Sequence, residues 1–233
     1  RRPVSMLIVD SRTAATLDEE QIGGKAWNMA WLSRFDFPVP TWWAVTTDAF
    51  KAQLEADGTA TWIADQIRDL DTEDSQQVQK VAESIHACVE SMTILPALRE
   101  VIEAALPKQA LEDTFFAVRS SVVGEDAAGA SFAGQMDSFL YQKGLDAICE
   151  SVIGVMASAF NPRALLYRIQ KQLPITDIKA AVIIQEMIDA DVAGVMFTAH
   201  PLTGSRKHAL ISGTWGCGEG IVSGLCNTDE FTV

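Results

Sequence analysis

The sequence predicts an α+β protein, helical first and strand-rich later, and three features carry that expectation. Between about residues 48 and 107 apolar side chains recur at helical spacing, most clearly Val78, Val81, Ile85, Cys88 and Val89 at offsets 0, 3, 7, 10 and 11. From Thr114 onward short apolar runs bounded by turn residues take over, at 115–118, 180–185 and 192–198. No internal repeat or low-complexity segment appears.

Taken in order, residues 4–10 read as a short strand. The acidic stretch Asp18-Glu19-Glu20 leads to Ile22-Gly23-Gly24-Lys25, where two glycines permit a tight turn before a helix-forming run from 26 to 34. Trp27 and Trp31, four apart, share one face of that helix. Pro38-Val39-Pro40 cannot continue it, and 45–47 reads as a strand entering a second helix near Asp48. The helical stretch that follows is acidic on its surface and carries no chemical motif, so it reads as packing scaffold. The strand at 115–118 ends in Arg119-Ser120-Ser121, and small residues dominate 122–134, with the acidic pair Glu125-Asp126, as in a mobile loop. A strand is expected at 136–141, and Ile148, Val152, Val155, Met156 and Ala159 mark a helix. Asn161-Pro162 is a good cap and first-turn pair for another. Strands at 180–185, 192–198 and 208–212 then precede the glycine loop Trp215-Gly216-Cys217-Gly218-Glu219-Gly220. The expected organisation is one domain in two parts, mainly helical over 1–113 and strand-rich over 114–233.

Composition narrows the function classes. The chain has 233 residues, 48% of them hydrophobic, enough for a large core. With 18 Lys+Arg against 31 Asp+Glu the formal charge is −13, and no basic run offsets it, so nucleic acid and anionic membranes are disfavoured partners. The longest apolar stretches fall far short of the roughly 18–20 residues of a membrane span, and a soluble chain is expected. Cys88, Cys149, Cys217 and Cys226 show no Cys-x-x-Cys spacing and no His at ligand distance, which argues against zinc and fits a reducing, cytoplasmic setting. The start at Arg1 lacks an initiator Met and a signal-peptide core, as in an excised piece of a longer chain.

Several segments could do chemistry. Gly23-Gly24-Lys25 at a helix start could hold a phosphate through main-chain N–H groups and a point charge, or could be a turn followed by a solvated Lys. Arg119, at the mouth of a buried strand, needs an anionic partner, which could be a phosphate or Glu125 or Asp126. Ser131 to Ser138 gives a small-residue approach to a strand, where Gly134 could sit in a lid and Ser138 could donate to a phosphate or ribose. Gln185, Glu186 and Met187 follow a buried strand, where a base could lie between apolar walls; Met187 could equally be core. The loop 215–220 has neither dinucleotide-fold nor P-loop spacing.

The order of these pieces is more specific than any one. Ile22-Gly23-Gly24-Lys25, Phe37-Pro38-Val39-Pro40 with Val45-Thr46-Thr47, Ala117-Val118-Arg119-Ser120-Ser121 with Glu125-Asp126, Ser131-Phe132-Ala133-Gly134-Gln135, Gly194-Val195-Met196-Phe197-Thr198 with Pro201-Leu202-Thr203-Gly204, and Trp215-Gly216-Cys217-Gly218-Glu219 follow one another from about Ile22 to the last residue. The series resembles the N-terminal ATP-binding domain of pyruvate phosphate dikinase and phosphoenolpyruvate synthase, shared by rifamycin phosphotransferases and by condensing enzymes of prodigiosin-type pigment synthesis.

The resemblance implies an ATP-grasp-like fold in which two lobes hold ATP. The ATP passes a phosphoryl group to a His on a swivelling domain, which carries it to a C-terminal substrate domain. Lys25 and Arg119 would bind phosphates, Gly134 and Ser138 would line the nucleotide from the lid side, and Gln185 would sit by the adenine with Glu186 and Met187 in the hinge. Ser138 stands where the family usually has Thr, Ala26-Trp27 where it has Gly and a small residue, Thr41-Trp42-Trp43 where it has Pro-Gly-Phe, and His200 where it has Asp. The family's magnesium ligands and a further phosphate-contacting Arg lie downstream of residue 233, so magnesium is expected only in a longer protein. His86, His200 and His208 match no phospho-acceptor motif. A nucleotide-sensing module without catalysis is the alternative from another class.

Overall fold

The computed structural model of the chain describes residues 6–35, 37–123, 136–175 and 177–233. They fall into two units, Arg1–Met187 and Ile188–Val233. This division by contacts differs from the change of composition near residue 113, because one sheet of the larger unit draws strands from both sides of that point.

In the larger unit β1 (Ile8–Asp10) runs into the one-turn α1 (Ser11–Ala14). Asp10 caps it: its carboxylate accepts the Thr13 N–H at 2.8 Å, which holds the carboxyl below its ordinary range. The helix expected at 26–34 is the second part of α2 (Glu19–Arg34), which starts at a reciprocal Asp18/Gln21 capping box. Gly23, at φ 75° and ψ 165°, interrupts it.

β2 (Trp42–Val45) lies before the expected 45–47 because Thr46 caps α3 (Thr47–Glu55), its Oγ accepting the Ala49 N–H at 3.3 Å. The helical stretch resolves into α3, α4 (Thr59–Arg68), α5 (Ser75–Glu90) and α6 (Pro96–Ala105), followed by the short α7 (Lys108–Asp113). Of the periodic residues on α5, Val78, Ile85 and Val89 are buried, while Val81 and Cys88 sit at the edge of that stripe.

β3 (Phe116–Val122) carries on through Arg119-Ser120-Ser121 to Val122, because β5 (Ala180–Glu186) pairs with its whole length, from Phe116 opposite Glu186 to Val122 opposite Ala180. β4 (Ser138–Gln142) lies on its other edge, two residues later than expected at its start. α8 (Leu145–Ser158) and the residue after it bury all five predicted positions, Ile148, Val152, Val155, Met156 and Ala159. Asn161 caps α9 (Pro162–Gln170) by accepting the Ala164 N–H at 2.7 Å.

These strands form a five-stranded antiparallel sheet in the order β1-β2-β5-β3-β4. Alternation sends Trp43, Val45, Phe116, Val118, Val182 and Ile184 into the main core with Phe50, Ile85, Ile148 and Met156. The opposite face packs Val9, Trp42, Ala44 and Ile183 against Ala14, Ile22, Ala26 and Ala30 of α1 and α2.

The smaller unit is a three-stranded antiparallel sheet, β6 (Val192–Phe197), β7 (Leu210–Trp215) and β8 (Asp229–Thr232), with α10 (Glu219–Ser223) between the last two strands. α10 takes up the end of the expected glycine loop, and β7 reaches Trp215 because it matches β6 residue for residue from Phe197 to Val192. None of its described residues is fully buried.

Candidate functional site

The site is built from the contact between α2 and β3. At Gly23 the helix backbone comes so close to the strand that a Cβ would stand 2.1 Å from the Ser121 carbonyl oxygen. Only glycine combines this approach with that backbone conformation. The interruption restarts the helix against the strand, and Ser121 Oγ accepts the buried Ala26 N–H at 3.0 Å, acting as a cap supplied from 95 residues away. The Ala26 N–H at the restart of the helix is thus satisfied within the protein. The same contact positions Lys25, whose Nζ donates to the Ser120 carbonyl at 3.3 Å.

Strand alternation then assigns faces. Ser121 faces α2, so Arg119 and Ala117 share that face, and the residues paired with them share it too. Ser138 stands directly opposite Arg119 on β4, and Gln185 directly opposite Ala117 on β5. The α2 side of the sheet therefore carries Lys25, Arg119, Ser138 and Gln185 together. Lys25, Arg119 and Gln185 are half-buried and Ser138 is exposed. Two cations, a hydroxyl and an amide on one wall can bind oxyanions at one end and hydrogen-bond a polar ring or sugar at the other. No carboxylate among the described residues pairs with Arg119; Glu125 and Asp126, the alternative partners, lie outside those residues, as does Gly134.

The other two expected residues separate. Met187 extends the ladder by one step, its N–H donating to the Phe115 carbonyl at 2.8 Å, and so faces the α2 side; its Sδ accepts the Tyr141 N–H at 3.1 Å. Glu186, opposite Phe116, projects to the other side and uses its main-chain N–H to hold the Thr41 carbonyl at 2.9 Å. The roles of Ser120 and Ser121 were not apparent in the sequence, where both read as a strand's polar end. Only the doubled serine beside Arg119 hinted at them.

Elsewhere, His200 Nδ1 accepts the N–H groups of Leu202 and Thr203 at 3.2 and 3.4 Å, the turn-closing role an Asp oxygen fills in an Asx turn. A cavity of about 440 Å³ in the larger unit is lined by Phe50, Leu54, Ile63, Phe160, Ile178 and Lys179, among others, and by none of the candidate residues. Among the described residues no group of three or more His, Cys, Asp or Glu could hold a metal ion, and no helix is long and apolar enough to cross a membrane.

Comparison with known proteins agrees with the ordered motifs. The family model described as the pyruvate phosphate dikinase AMP/ATP-binding domain matches residues 19–233. A probable phosphoenolpyruvate synthase from Archaeoglobus fulgidus is 36% identical over 90% of this chain and 28% of its own length. A rifampicin phosphotransferase from Bacillus subtilis is 34% identical over 91% of this chain and 24% of that protein. A phosphoenolpyruvate synthase from Pyrococcus furiosus is 30% identical over 93% and 31%. The chain thus spans less than a third of the length of these relatives. With its mixed helices and sheets and a family match over nearly its whole length, the chain is an α+β, ATP-grasp-like domain that belongs to the pyruvate phosphate dikinase AMP/ATP-binding domain family.

Proposed function

We propose that the chain binds ATP along the α2 side of its five-stranded sheet and prepares the phosphoryl donor for a larger phosphotransferase of the phosphoenolpyruvate-synthase type. The observation that carries this is the convergence of Lys25, Arg119, Ser138 and Gln185, drawn from 160 positions of sequence, on one face of one sheet.

In this reading Lys25 and Arg119 lie along the phosphates and lower the cost of bringing together their negative charge. Phosphoryl transfer depends mainly on such positioning and electrostatic stabilisation. Ser138 bonds a phosphate or ribose oxygen, Gln185 the base, Glu186 contributes its main chain and Met187 an apolar contact. Gly134, outside the described residues, lines the same nucleotide from the lid side in this reading. The acceptor is a His on a swivelling domain of the full-length protein, which delivers the group to a substrate domain. No step is assigned to magnesium; in this reading its ligands lie in the longer protein. A cytoplasmic location accords with four cysteines none of which forms a disulfide.

The similarity to rifampicin phosphotransferases favours a second reading of the parent enzyme, in which the final acceptor is an antibiotic. It leaves the role of this chain unchanged. Titrating ATP into the chain and into its full-length parent tests the proposal. Saturable binding is expected, weakened about tenfold or more by Lys25→Ala and by Arg119→Ala, the usual scale for losing a charge-assisted contact. Absence of binding by the parent, or full retention by both variants, contradicts it.

A further inference from the structure

Beyond the phosphate end, the α2 side of β3 continues to a pair of aromatic rings that the family motifs leave without a role. Arg119, Ala117 and Phe115 follow one another at alternate positions, so Phe115 stands on the Arg119 side, about 13–14 Å further along the strand. The Met187 N–H bond to the Phe115 carbonyl continues the ladder and keeps that alternation intact. Tyr141 lies beside Phe115, with ring centroids 6.0 Å apart and planes at 78°. It is brought there by a left-handed backbone conformation, φ 57°, and by the 3.1 Å bond from its N–H to Met187 Sδ. Such a conformation is uncommon for a non-glycine residue.

Both residues are about half exposed, Phe115 at 47% and Tyr141 at 52%. Lys143 Nζ lies over one face of the Phe115 ring, 5.6 Å from its centroid, which leaves the other face for a base. Between these rings and Arg119 stand Ala117, which leaves room, and Gln185, which offers an amide. From one end to the other the wall presents cations and a hydroxyl, then a small residue and an amide, then an aromatic corner edged by a thioether. An extended nucleoside triphosphate has the same sequence of chemistries over a similar length: phosphates, ribose, base.

We propose that Phe115 and Tyr141 form the stacking platform for the nucleobase, a proposal that rests on the nucleotide reading above. An aromatic face accepts any base, so the platform sets affinity for the base as a class, and discrimination among bases is left to Gln185 and the adjoining main chain.

The test compares ATP with inorganic tripolyphosphate, which keeps the phosphate chain and lacks the base. Each is titrated into the full-length protein and into its Phe115→Leu/Tyr141→Leu variant. The expected result is roughly a tenfold loss of ATP affinity with tripolyphosphate affinity unchanged within twofold, and equal losses for ATP and GTP. Unchanged ATP affinity, or equal weakening of ATP and tripolyphosphate, overturns the platform and leaves the nucleotide reading standing. Absence of ATP binding by the unsubstituted protein overturns both. Should the double variant fold poorly, nuclear Overhauser contacts between adenine H2 or H8 and the two rings in the unsubstituted protein decide: their presence supports the platform, and their absence with ATP bound overturns it.

Discussion

Gly23 and Ser121 show what one residue contributes to placing the phosphate end of the site. Gly23 is in a conformation almost exclusive to glycine, and a Cβ there meets the Ser121 carbonyl at 2.1 Å. Gly23→Ala is therefore expected to cost at least about 2 kcal/mol in a urea melt and to weaken ATP binding, because α2 must draw back and take Lys25 with it. Ser121→Ala removes only the acceptor of the buried Ala26 N–H and should cost about 1–3 kcal/mol, with a smaller effect on binding. Equal, negligible costs for both variants would contradict this account of the contact. The glycine pair was legible in the sequence as a break in regular structure. Its partner was not, since nothing in residues 22–26 specifies a serine 95 positions away.

Elements were legible where period and burial agree. α5 and α8 followed directly from their apolar spacing, because a helix packed on one side must repeat near 3.6 residues. Their ends depended on caps, and this is why β2 gave up Thr46 to α3 and why β3 ran on to Val122 to satisfy β5. α8 also allows a test of packing through its cysteine. Cys149 is 2% exposed, and burial raises its thiol above the ordinary value, whereas Cys226 in the smaller unit is exposed. At pH 8 an alkylating reagent should modify Cys226 rapidly and Cys149 only on unfolding, since the thiolate is the reactive form. Comparable rates in the folded protein would show that α8 does not seal that face of the core.

Over the whole chain, the antiparallel order β1-β2-β5-β3-β4 is what gathers residues 25, 119, 138 and 185 on one wall. Ordered motifs indicated that these residues belong to one site; they did not indicate which of them share a face. Alternation separates Gln185 and Met187 from Glu186, but which residues of the neighbouring strands stand beside them depends on register, which the sequence of a single strand does not encode. β8 was illegible for a different reason: Asp229-Glu230-Phe231-Thr232 is exposed throughout and has no alternating pattern to announce a strand. Backbone amide shifts of the isotope-labelled protein on adding ATP locate the nucleotide, which is proposed to lie on the α2 side of the five-stranded sheet. The largest shifts are expected at Lys25, Arg119, Ser138 and Gln185 and in the turns beside them. Shifts centred instead on Phe50, Leu54, Ile63 and Phe160, around the 440 Å³ cavity that none of those residues lines, would contradict it.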